Sequence, residues 1–182
     1  LRGSLCLYQG EELGLTEAHL TYEQLQDPYG IRFWPDFKGR DGCRTPYPWD
    51  GNKPNGGFTS GTPWLPVSNE HLAHGFAQQD RDEASILAAY RHVLTTRSAS
   101  PALLSGDQAF VECSDWILSF ERSDETEKRL CIYNFGHHDA VMDIPDGYSG
   151  DSAVEAFTRH ASFENGKLKL GALGSIMLVR GV

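Results

Sequence analysis

The chain has 182 residues, 40% of them apolar, with 16 lysines and arginines against 25 aspartates and glutamates. A formal net charge of −9 argues against nucleic acid, whose phosphates need a basic surface, and against an anionic membrane. No apolar run approaches the about 20 residues of a membrane-spanning helix, and the length suits one ordinary domain or two small ones.

In chain order, Ser4-Leu5-Cys6-Leu7-Tyr8 is a short apolar run stopped by Gly10, the pattern of a parallel strand buried on both faces. Such a strand has nothing to pair with in this sequence. Together with the absence of an initial Met, this reads as a piece of a longer protein, with no signal peptide before it. From Gln9 to about Gln79 proline and glycine punctuate the chain, and two short helices fit, at Tyr22–Gln26 and Asn69–Ala73. So long a connection is expected to be functional. Asp80-Arg81-Asp82-Glu83 then resembles a capping box. Ile86, Leu87, Tyr90, Val93 and Leu94 form one apolar helical stripe, predicted to face inward, and Pro101 closes the segment.

Beyond Ser105-Gly106-Asp107 the period becomes two. Strands are predicted at Ala109–Val111, Trp116–Phe120, Arg129–Phe135, Ala140–Ile144, Val154–Phe157, Lys167–Leu170 and Ser175–Val179, with a hairpin signal at Asn165-Gly166. Short strands spaced by turns predict an antiparallel β-sandwich. Cys6, Cys43, Cys113 and Cys131 are scattered, with no C-x-x-C pair and no clustered histidine. They read as free thiols in a reducing, cytoplasmic compartment, and zinc is not expected. Asp41-Gly42 and Asp50-Gly51-Asn52 lack the acidic spacing of a calcium loop, so the reading includes no metal.

One stretch stands out, Gly39-Arg40-Asp41-Gly42-Cys43-Arg44-Thr45-Pro46-Tyr47-Pro48-Trp49. Two planar guanidiniums beside an aspartate suit fixed hydrogen bonding to hydroxyls or carboxylates, and Trp49 with Tyr47 offers a wall to an apolar sugar face. The plainer reading is a surface loop held by an Arg–Asp pair and a buried Trp. The string resembles the G-R-D-x-x-R-T-P-M-x-W motif of α-glucosidases in the α-amylase family, with Tyr47 where that family usually has Met. Tyr8-Gln9-Gly10-Glu11-Glu12-Leu13-Gly14 resembles its Y-Q-G-E-E-x-G, and Gln26-Asp27-Pro28 its Q-D-P. Gly57-Phe58 with Pro63-Trp64-Leu65 resembles its G-F…P-W-L. Several motifs in the right order are far more specific than one.

The resemblance implies α/β plus all-β architecture. Residues 1–104 would be the last strand, the long strand-to-helix loop and the last helix of a (β/α)₈ barrel, and residues 105–182 an antiparallel β-sandwich C-terminal domain. It implies a retaining exo-acting α-glucosidase without a cofactor, acting on small α-glucosides beside the missing N-terminal barrel portion. Such an enzyme needs two carboxyl groups about 5–5.5 Å apart, but the family motifs that supply them do not occur here. His137-His138-Asp139 lacks the Asn of the family's N-H-D. No catalytic residue is therefore assigned.

Arg40 matches the family arginine that holds the non-reducing-end glucose and pairs with an upstream aspartate. Its alternative is a structural salt bridge to Asp27 or Asp41. Glu17 lies where relatives shape the aglycone side, against the alternative of an exposed loop carboxylate. Arg44, Asp41 and Trp49 read as structural loop residues, Arg44 anchoring through carbonyls or Asp50, and Trp49 and Trp64 as core. Adjacent Glu11 and Glu12 diverge at a strand end and read as loop anchors through backbone N–H groups. The rival to the enzyme is a non-catalytic sugar-binding or structural module. Within enzymes, a trehalose synthase-like isomerase or glucosyltransferase stays open.

Overall fold

The computed structural model describes residues 1–111, 114–149 and 158–182, with backbone alone at 153 and 154. The chain forms two compact units, one of Cys6–Arg91 and one of Leu1–Leu5 with His92–Val182. The expected strand Ser4–Tyr8 makes no ladder. Its backbone finds no neighbouring strand, and Leu5, Leu7 and Tyr8 stay exposed.

The Cys6–Arg91 unit is mostly loop. Its helices are α1 (Pro28–Phe33), α2 (Asn69–Ala73), α3 (Phe76–Gln79) and the first part of α4 (Ile86–Ala99). The α2 bounds are those the sequence predicts, and Tyr22–Gln24 forms one 3₁₀ turn where a helix to Gln26 is expected. Helix α1 was not legible, although Asp27 before Pro28 is a strong start signal. The Asp27 carboxylate accepts from Tyr29 N–H (3.0 Å), as an N-cap does.

Buried backbone without a ladder must find partners elsewhere, and here side chains supply them. Gln79 Nε2 donates to the carbonyls of Leu13 (2.8 Å) and His74 (3.0 Å), while its Oε1 accepts from Leu87 N–H (3.1 Å). Ser85 Oγ donates to the Gln79 carbonyl (2.8 Å). His71, buried, reaches the Thr16 carbonyl through Nε2 (2.8 Å). Leu13, Leu25, Leu65 and Leu87 fill the spaces between these anchors.

The start of α4 differs from the expected capping box. Asp80 pairs with Arg91 (2.7 Å), and Asp82 Oδ1 accepts from Ala84 N–H (2.9 Å) in a separate turn. The cap is Ser85, whose Oγ accepts from Ala88 N–H (3.1 Å). Within the predicted stripe Leu87 is fully buried, Ile86 is 46% exposed, and Tyr90, Val93 and Leu94 are half-buried.

In the other unit, after α5 (Pro101–Leu104), seven strands form one curled antiparallel sheet. They are β1 (Asp107–Phe110), β2 (Ile117–Ser123), β3 (Glu127–Asn134), β4 (Ala140–Asp143), β5 (Ala153–Val154), β6 (Arg159–Glu164) and β7 (Lys167–Gly181). The predicted strands at 167–170 and 175–179 are one long β7, and β6 is an addition. Residues 155–157 of the strand predicted at 154–157, and Cys113, lie outside the described residues. Asn165-Gly166 turns β6 into β7 with φ of 52° and 75°, as a type I′ hairpin requires.

Strand β7 bends around Leu173 (φ 53°). Its first part pairs with β4 and β6, and its last part with β3 and β5. Alternation sends Leu168, Leu170, Ile176 and Leu178 into one core with Ile117, Leu130, Ile132 and Tyr148. On the opposite face Phe120, Cys131 and Met177 pack with Leu103 of α5. Arg122, fully buried, donates to the carbonyls of Leu103 (3.0 Å), Gly106 (2.9 Å) and Asp107 (3.2 Å). Burial pushes the Cys131 thiol up to about 11.

Candidate functional site

The arginine-rich stretch lies in the Cys6–Arg91 unit and folds around two aspartates. Asp41 is fully buried. Its Oδ2 accepts from Gln26 N–H (2.6 Å) and Asp27 N–H (2.7 Å), which ties the motif to the start of α1. Asp27, 4% exposed, returns the tie, since its Oδ2 accepts from Arg40 N–H (3.0 Å) and lies 3.6 Å from Arg40 Nε. Tyr29 N–H chiefly holds the Asp27 carboxyl below its ordinary range. The Arg40 N–H and charge add to that effect, and burial opposes it.

Of the two aspartates the sequence offered Arg40, the structure uses Asp27. The Arg40 side chain itself remains 69% exposed. Gly39 makes this geometry possible. Its φ is +74°, and a Cβ there would sit 2.9 Å from Asp27 Cβ.

Glu17 is exposed and lies against Gly42, where a Cβ would approach Glu17 Cγ to 2.6 Å and the Ala18 carbonyl to 2.7 Å. Ala18 N–H donates to the Gly42 carbonyl (3.0 Å), so the Glu17 loop and the arginine-rich loop are bonded backbone to backbone. Together they line a cleft of about 90 Å³ with Tyr8, Gln9, Tyr47 and His71. That is smaller than the about 300–1,000 Å³ of ordinary ligand pockets. Glu17 lines this cleft, whereas Arg40, Arg44 and Trp49 do not.

Tyr47 donates to Glu12 Oε1 (2.7 Å), and Glu12 Oε2 accepts from Gly10 N–H (2.8 Å). Burial first, then the bonded Glu12, pushes the Tyr47 phenol well above its usual range. Glu11 turns the other way, to Tyr90 Oη (3.3 Å). The two glutamates thus anchor loops separately and form no acid pair. The sequence marks Tyr47 as a ring wall and as a departure from the family's Met, but not as the partner of Glu12.

Arg44 is half-buried, while Asp50 is engaged by Asn52 N–H (3.0 Å), Gln78 Nε2 (3.2 Å) and Lys53 (3.8 Å). Trp49, expected as core, is 51% exposed and forms an aromatic group with Tyr47 (4.7 Å) and Phe76 (5.7 Å). Trp64 is also exposed. His137-His138-Asp139 lies on the β3–β4 turn of the sheet unit. Among the described residues no group of three or more His, Cys, Asp or Glu is placed to hold a metal ion.

The site thus consists of an arginine paired with a buried aspartate and an exposed loop carboxylate, carried on a loop that precedes the sheet unit in the chain. The comparisons with known proteins identify the family. Residues 1–106 match the family model described as "Alpha amylase, catalytic domain", and the chain belongs to the α-amylase family. A probable α-glucosidase of Rhizobium meliloti (strain 1021) is 54% identical over 145 residues, covering 80% of this chain and 26% of its own. The crystal structure of XgtA, an α-glucosyl transfer enzyme, superimposes with a TM-score of 0.91 at 43% identity, covering 98% of this chain and 33% of that one. The trehalulose synthase MutB of Pseudomonas mesoacidophila MX-45, in a mutant complexed with its substrate sucrose, gives 0.82 at 25% identity, covering 98% and 36%. This chain therefore spans about a quarter to a third of the length of these relatives.

Proposed function

We propose that this chain supplies the sugar-recognition loop and the C-terminal domain of a retaining, exo-acting α-glucosidase. Residues 1–104 would close the (β/α)₈ barrel as its last strand, active-site loop and last helix, and residues 105–182 would form a sandwich-type domain. The end of the family match at residue 106 supports this division, and the curled sheet supports the second part. The strand of the barrel reading, Ser4–Tyr8, would gain its ladder from neighbours outside this sequence. The catalytic carboxylates would come from there too, so these residues alone would be inactive.

The observation that carries the reading is the clamp on Arg40. Asp27 accepts from the Arg40 N–H and lies 3.6 Å from its Nε, while the guanidinium side chain, 69% exposed, keeps a planar fork of donors available. Such a fork recognises adjacent sugar hydroxyls at the closed end of a pocket, which limits cleavage to the terminal glucose. Glu17 would border the acceptor side, while Asp41, Arg44 and Trp49 would hold the loop. The substrates would be small α-glucosides, and no cofactor is called for. Free thiols at Cys6, Cys43 and Cys131 support a reducing compartment such as the cytoplasm.

XgtA, an α-glucosyl transfer enzyme, and MutB, a trehalulose synthase, favour a second reading in which the acceptor is a sugar rather than water. In the complete enzyme, Arg40→Ala should lower kcat/KM for small α-glucosides by about 10²-fold or more, with folding intact. A loss below about threefold would remove the role given to Arg40.

A further inference from the structure

The sheet unit holds a second cleft, remote in sequence from the arginine-rich loop. It has a volume of about 370 Å³, within the range of ordinary ligand pockets. Trp116, Ile117, Ala140 and the turn Gly136-His137-His138-Asp139 are among the residues that line it. Trp116 is 65% exposed, an unusual position for the largest apolar side chain.

The walls are fixed. Asn134, 3% exposed, ties the turn to β7 with its amide. Its Nδ2 donates to the carbonyls of His138 (2.9 Å) and Gly171 (2.9 Å), and its Oδ1 accepts from Gly136 N–H (2.8 Å). Phe135 N–H donates to the Trp116 carbonyl (2.8 Å), and Leu173 N–H to the Gly136 carbonyl (3.1 Å). A Cβ on residue 136 would come within 3.3 Å of Trp116 Cβ, so the missing side chain lets the indole stand directly beside the turn. A buried amide that holds a surface turn in one shape removes the ordering cost a ligand would otherwise meet.

We propose that this cleft is a second binding site, separate from the arginine-rich loop, for a neutral pyranose such as the glucosyl unit of maltose. An indole face offers the flat apolar surface that the C–H face of a pyranose covers. The exposed imidazoles of His137 and His138 can donate and accept toward its hydroxyls. Anionic ligands are disfavoured. Asp139 stands at the rim with its carboxylate 3.3 Å from Lys169 Nζ, and the chain carries −9 overall.

The test is ¹⁹F NMR of the complete protein labelled with fluorotryptophan, the Trp116 signal being assigned by its loss in Trp116→Phe. Maltose should move that signal saturably, in the Arg40→Ala protein as in the parent, which separates this site from the arginine-rich loop. His137→Ala combined with His138→Ala, both exposed positions, should weaken the response about tenfold. A Trp116 signal that maltose leaves in place, that only glucose 6-phosphate moves, or that ignores the double histidine change overturns the proposal. Loss of the response in Arg40→Ala would reassign it to the arginine-rich loop and overturn it as well.

Discussion

Asp27 carries three duties with one carboxylate: it caps α1, receives the Arg40 N–H and faces the Arg40 guanidinium. Its folded-state pKa lies below the ordinary carboxylate value, so the sign of its contribution is fixed. The stabilisation is fully present above the unfolded value of about 3.9 and is lost as pH falls through the lower folded value. Asp27→Asn should therefore flatten the acid side of the stability profile. The urea midpoint of the parent should drop between about pH 5 and pH 2 by more than that of the variant. Equal drops would mean that the ties to Arg40 do not depend on charge. At this scale the sequence was informative about identity and poor about contact. Arg40, Asp41 and Glu17 stand out as residue types, but Glu17 meets Gly42 only because Ala18 bonds across to that loop. Trp49 and Trp64 look like core in a one-dimensional reading, yet both are exposed, because apolar character marks a residue type and not the neighbours that would cover it.

Among the elements, α4 shows how local signals compete. Asp80-Arg81-Asp82-Glu83 has the letters of a helix start, but Asp80 is taken by Arg91 and Asp82 by its own turn. Ser85, with fewer letters to recommend it, caps the helix and at the same time ties it to Gln79. Ser85→Ala should cost about 1–2 kcal/mol, the loss of a helix cap, visible as a lowered thermal midpoint. Asp82→Ala should cost less than Ser85→Ala in the same measurement. The strands were legible wherever both the period of two and the turn residues were strong, as in β2 and β3. The continuity of β7 was not. Gly171 and Gly174 look like punctuation, yet the backbone bends at Leu173 and continues as the same strand.

Over the whole molecule, motif order carried most of the inference, because five short strings in one sequence constrain one another as isolated matches cannot. Physical chemistry alone separated the loop-rich part from the strand-rich part through the change of period near residue 105, while the compact units change at residue 92, inside the span of α4. Periodicity marks where secondary structure changes, and packing follows different borders.

Strand β7, at residues 167–181, is the partner of β3, β4, β5 and β6. During synthesis on the ribosome this order matters. Every earlier strand except the β1–β2–β3 ribbon must wait, unpaired, for the last one to emerge, and Leu130 and Ile132 of β3 lack their β7 neighbours in the core until then. The sheet thus closes in a single late event rather than growing strand by strand, as expected of a topology rich in distant contacts. Nascent chains stalled before residue 167 should be digested by protease at β4 and β6, residues 140–143 and 159–164, whereas chains released past residue 181 should resist there. Protection that appears before β7 has left the ribosome would show that the sheet has another way to begin.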